Sequence, residues 1–140
     1  MNRYVSQELR KLIIARAQDA CEYCLIAIAD TYFGGEVEHI ISVKHDGETV
    51  AGNLAYACQP CNRAKGSDLG SISRSSGQLT RFFNPRTDIW REHFTLQDGL
   101  IVPLTEIGEV TARIFDFNHP ERVAERQGLQ QIGHYRPNNI

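Results

Sequence analysis

Four cysteines, at positions 21, 24, 58 and 61, are the residues of this 140-residue chain whose type and spacing most directly imply chemistry. They form two pairs, Cys21-Glu22-Tyr23-Cys24 and Cys58-Gln59-Pro60-Cys61. A Cys-x-x-Cys turn points two sulfurs the same way, and four thiolates make the closed tetrahedral shell of a structural zinc ion. A redox dithiol usually stands alone at a helix start, so two pairs favour a metal. A shell of four thiolates leaves no open position, so this zinc is expected to be structural and not catalytic. The gap between the pairs, Leu25 to Ala57, is 33 residues. Common zinc ribbons leave about 15–20, so a further unit is expected inside the loop. Loop closure adds only about 0.6 kcal/mol per doubling of length, against roughly 10–16 kcal/mol from zinc in small domains.

Between and beside these pairs lie Glu38-His39, Asn53, Asn62, Arg63 and Lys65. An imidazole of pKa about 6.5 can take a proton from water at neutral pH. Taken alone, a strand histidine is more often structural or a surface residue, and Arg63 and Lys65 alone read as a solvated face more readily than as phosphate contacts.

The elements that must position these groups can be read from periodicity. Ser6 suits a helix N-cap, with Gln7 and Glu8 in the first turn. Leu9, Leu12, Ile13, Ala17 and Ala20 recur at helical spacing, which predicts a helix over about 6–20 that delivers Cys21. After Gly34-Gly35, residues 37–41 read as a strand, 42–53 as an irregular loop with Asp46-Gly47 and Gly52, and 54–57 as a returning strand. Pro60 suits a helix start and Gly66 a stop. Residues 67–78, rich in Ser and Gly, predict a linker or mobile loop. Beyond them come an aromatic cluster (Phe82, Phe83, Trp90, Phe94) and a strand at 100–102 after Asp98-Gly99. A helix over about 106–117 capped by Thr105 follows, with another from Pro120.

The composition is that of an ordinary globular chain, 41% hydrophobic and 23% charged, which excludes disorder. Net charge is -2, and neither half is basic: residues 1–66 hold 7 Lys/Arg and 8 Asp/Glu, residues 67–140 hold 8 and 9. Binding of nucleic acid through bulk charge is therefore disfavoured. A bound divalent cation can still supply positive charge at a phosphate. The start has no apolar signal region, and the longest apolar run, Leu25–Ala29, falls far short of a membrane span. With four cysteines suited to a metal, a reducing, cytoplasmic setting is expected.

Cys21-x-x-Cys24, Glu38-His39-Ile40-Ile41, Asn53-Leu54-x-x-x-Cys58 and Cys61-Asn62-x-x-Lys65-Gly66 together resemble the zinc-stapled branch of the HNH endonuclease family. The resemblance covers about residues 6–70 and implies an α+β fold, a ββα-metal core with structural zinc. An N-terminal helix would precede the core, and a mixed α/β extension over 71–140 would pack on it. It implies that His39 is the general base, with a backbone carbonyl on its other ring nitrogen. Glu38 and Asn62 would ligate a catalytic Mg²⁺ or Mn²⁺, and Asn53 would bridge the loop and hold His39. Arg63 and Lys65 would touch flanking phosphates. The implied partner is DNA, most simply double-stranded, and the implied reaction is phosphodiester hydrolysis. Neighbours on a strand face opposite ways, so a distortion is expected where Glu38-His39 meets the loop. Many family members carry a Pro soon after the His, where this chain has Ser42-Val43. His45 in the same loop reads as an exposed loop residue.

The segment from Phe82-Phe83-Asn84-Pro85-Arg86 to Trp90-Arg91-Glu92-His93-Phe94 resembles an extension of some compact bacterial HNH proteins. Its aromatics are expected to cover the thin nuclease core, with a DNA-gripping or partner-docking surface through Arg74, Arg81, Arg86 and Arg91 as the other reading. The alternatives to an enzyme are a non-cleaving zinc-stabilised nucleic-acid-binding module and an interaction protein within a larger machine. An intact Glu38-His39 and Asn62 speak against the first, and the acidic net charge lends the second some support.

Overall fold

The computed structural model describes residues 3–135 and 137. It divides into two compact units, Met1–Leu69 and Gly70–Ile140. The last residues of the expected extension, 138–140, lie outside the described residues.

In the first unit Ser6 caps helix α1 (Gln7–Arg16), its hydroxyl accepting from the Leu9 amide at 3.1 Å. The helix stops four residues short of the expected end. Gln18 and Asp19 take left-handed conformations, φ 53° and 58°, which no helix continues. Ala20 instead bridges Ala27, and the Cys21 amide donates to the Ile26 carbonyl at 2.8 Å. The first Cys-x-x-Cys turn is thus held by backbone bonds and not delivered by the helix.

Strands β1 (Gly35–His39) and β2 (Leu54–Cys58) pair antiparallel, in register from Gly35↔Cys58 to His39↔Leu54. β1 begins two residues earlier and ends two residues earlier than its apolar pattern predicts. The reason is Asn53, whose side chain captures the Ile41 backbone and turns it out of the ladder. All five residues of β2 are buried. Helix α2 (Gln59–Lys65) follows directly, with Pro60 in its first turn and Gly66 at φ 53° ending it. The order β1, loop, β2, α2 is the ββα core. The expected α+β class is the class observed.

The second unit has a core of its own. Hairpin β3 (Gly70–Ile72) and β4 (Leu79–Arg81) leads to the short helix α3 (Trp90–His93). A second hairpin, β5 (Phe94–Gln97) and β6 (Leu100–Pro103), then leads to α4 (Glu106–Ile114) and α5 (Pro120–Gln131). Phe82, Phe83, Trp90 and Phe94 are buried with Phe115 and Phe117. Ring contacts such as Phe82–Phe115 at 5.1 Å and Phe94–Phe117 at 5.7 Å are edge-on, the favoured arrangement. These rings find their partners within the unit. The Ser/Gly-rich stretch 67–78 is not a loose linker. Ser73 is buried, its amide donates to the Gln78 carbonyl at 2.9 Å, and its hydroxyl donates to Glu106 at 2.8 Å. A carboxylate 33 residues away orders what composition alone read as mobile. Among the described residues no helix is long and apolar enough to cross a membrane.

Candidate metal centre and active-site cleft

Cys21 and Cys24 come from the turn after α1, Cys58 ends β2, and Cys61 sits in the first turn of α2. All four are buried, and their sulfurs lie within 4.8 Å of one another. The Cys24 and Cys58 sulfurs are 3.6 Å apart, far beyond a disulfide length of about 2.0 Å. Four sulfurs at about 2.3 Å from a central zinc would be about 3.8 Å apart, so the cluster fits that ion. Burial pushes the Cys21 and Cys61 thiols well up. A bound cation would favour the thiolate form of four crowded sulfurs in this buried site. The four cysteines are positioned to hold a metal ion of the zinc kind.

His39 closes β1. Its Nε2 meets the Thr49 hydroxyl at 2.8 Å, so a loop side chain fixes the ring where a backbone carbonyl was expected. Burial, then the positive charges of Lys65 and Arg3, hold its pKa below the usual imidazole value. The ring therefore favours its neutral form. The loop that carries Thr49 is clasped by Asn53. Its Oδ1 accepts from the Ile41 amide, and its Nδ2 donates to the Ile41 and Glu48 carbonyls, all at 2.9 Å. Gly47 is needed for this packing, because a Cβ there would lie 1.6 Å from the Ile41 carbonyl oxygen.

Glu38 is buried and fully engaged. Tyr23, from inside the first cysteine pair, donates its hydroxyl to Oε1, and the Lys65 ammonium lies 3.1 Å from Oε2. Burial raises the Glu38 pKa, a shift that Lys65 and then the Tyr23 hydrogen bond oppose. Burial also pushes the Tyr23 hydroxyl well up, so it remains a donor. Lys65 is only 3% exposed and also donates to the His39 carbonyl at 2.9 Å. It is not on the surface where a phosphate contact was expected. The reason is the α2 register, which turns position 65 toward the buried carboxylate. Arg63, two residues before Lys65, is exposed, as are Lys44 and His45.

A cleft of about 360 Å³ gathers these groups, lined by Glu38, His39 and Asn62 together with Arg3, Glu36 and Ser42. The ladder is regular through His39↔Leu54, and residues 38 and 39 both border the cleft. The Ser42 hydroxyl is buried without a hydrogen-bond partner among the described residues. Tyr23, Thr49 and Ser42 were not singled out from sequence. Only Tyr23 left a signal, an aromatic hydroxyl held between two metal-binding cysteines.

A ββα hairpin with four clustered cysteines thus borders one cleft with a histidine, a glutamate and an asparagine. Residues 21–68, about a third of the chain, match the family model for HNH endonuclease. No curated protein and no solved structure matches the chain.

Proposed function

We propose that the protein is a metal-dependent endonuclease that hydrolyses phosphodiester bonds of double-stranded DNA in this cleft. The observation that carries the reading is the meeting of Glu38, His39 and Asn62 on one cleft, within the segment that matches the HNH family. His39, kept neutral by burial and oriented by Thr49, accepts a proton from water. The water oxygen bonds to phosphorus as the bond to the 3′ oxygen breaks, and the departing 3′ oxygen takes a proton from solvent, leaving 5′-phosphate and 3′-hydroxyl ends. Asn53 holds the loop so that the imidazole keeps its aim. Glu38 and Asn62 offer a carboxylate and an amide oxygen, hard donors that suit Mg²⁺ or Mn²⁺ retaining several waters. When bound, that ion supplies charge stabilisation at the leaving oxygen. Arg63, exposed on α2, serves the flanking backbone. The buried cysteine cluster, read as structural zinc, fixes both ends of the hairpin, and its thiols suit a reducing compartment such as the cytoplasm.

Supercoiled plasmid incubated with the zinc-loaded protein in Mg²⁺, Mn²⁺ or EDTA tests this. Nicked or linear product in either cation and none in EDTA is expected, with RNA and single-stranded DNA run in parallel to define the substrate. Tight duplex binding without cleavage in any cation would instead support a non-cleaving module.

A further inference from the structure

Lys65 and Asn62 lie three residues apart on α2, on one helix face, and both serve the region of Glu38. Burying an ammonium is costly unless it is paired and hydrogen-bonded. Here it is both, with Glu38 Oε2 at 3.1 Å and the His39 carbonyl at 2.9 Å. Tyr23 holds the other carboxylate oxygen. The carboxylate that the proposed function assigns to a divalent cation is therefore already neutralised by a cation of the chain itself.

We propose that Lys65 is a built-in counter-ion at Glu38, which a divalent cation must displace to reach the Glu38–Asn62 site. This inference rests on the nuclease reading of that site. Two like charges on one carboxylate oppose each other, so Lys65 lowers the site's affinity for the ion. The released ammonium swings from its buried seat to the cleft, where a DNA phosphate can take it. Cation and DNA then favour each other's binding, because each relieves the charge the other leaves unpaired.

The test is Mn²⁺ binding to the zinc-loaded full chain, read from the spectrum of the free aquo ion, without DNA. Lys65→Met should bind Mn²⁺ at least about tenfold more tightly than the unaltered protein, a difference of about 1.4 kcal/mol. Lys65→Arg should bind it no more tightly than the unaltered protein. In the unaltered protein, reductive methylation of Lys65 should be slow alone and rise several-fold on adding Mn²⁺. Equal or weaker Mn²⁺ binding by folded Lys65→Met overturns the proposal. If Lys65→Met does not fold, methylation of Lys65 at one rate with and without Mn²⁺ overturns it. Glu38→Gln separates the two readings. Should Mn²⁺ binding survive that change, or be absent from every variant, the cation site itself is wrong and the displacement falls with it. Should Glu38→Gln abolish binding while Lys65→Met leaves it unchanged, only the displacement fails.

Discussion

Asn53→Ala is the change whose cost the structure specifies best. The side chain makes three hydrogen bonds at 2.9 Å, one accepted from Ile41 and two donated to the Ile41 and Glu48 carbonyls. Each is worth about 0.5–1.5 kcal/mol net. The groups left behind are partly open to water, so the low end applies and the loss is about 1.5 kcal/mol. For a unit of this size that lowers the melting temperature by roughly 6–12 °C. The effect on cleavage should exceed the effect on folding. The freed loop carries Thr49, which meets the His39 ring at 2.8 Å, and misplacing a proton acceptor by about 1 Å can cost about 10²-fold. Calorimetry of the zinc-loaded protein and plasmid nicking in Mn²⁺ below the melting range measure the two effects. A melting temperature within about 2 °C of the unaltered protein would show that Asn53 does not hold the loop. A large drop in melting with nicking unchanged would show that the loop does not aim His39.

Gly47→Ala should disrupt the same loop more severely, since its Cβ would meet the Ile41 carbonyl at 1.6 Å. Nicking that matches the unaltered protein would contradict that packing. Stripping the metal with a strong chelator, or Cys58→Ser, should release about one equivalent of zinc and unfold the first unit. A circular dichroism spectrum unchanged by full zinc removal would contradict the clamp. Thr111→Val should destabilise the second unit by about 1–3 kcal/mol, because the buried Phe83 amide loses its acceptor at 2.8 Å. Its thermal melt should show the loss. The Arg81 guanidinium holds the Asp88 carboxyl below its usual value. That stabilisation is complete above the unfolded value of about 3.9 and is lost as pH falls through the lower folded value. Asp88→Asn should therefore flatten the loss of stability below about pH 4. The change should not exceed about 1 kcal/mol, because the Arg81 side chain is 53% exposed, and an unaltered acid slope in the melting curves would contradict it.

Much of the site was legible because its determinants are local in sequence. Two Cys-x-x-Cys turns and the apolar runs between them predict a clamped hairpin, and the fold brings the four sulfurs together. Pro60 and Gly66 bracket α2 as their chemistry requires. What was not legible depends on distant partners. Lys65 reads as a surface cation until Glu38, 27 residues earlier, is seen to face it inside the fold. Ser73 reads as linker until Glu106 accepts its hydroxyl. The end of α1 is hidden in the sequence because Ala17 and Ala20 continue the apolar period, while the chain breaks it with two left-handed residues between them. The ring partner of His39 is a threonine in an irregular loop, a contact with no sequence signature.

The most direct test is His39→Ala, assayed for plasmid nicking in Mn²⁺ with zinc content and melting temperature measured on the same sample. The rate should fall by about 10²–10⁴-fold, with the metal and the fold retained. Cleavage by a folded, zinc-loaded His39→Ala protein at the unaltered rate would contradict it.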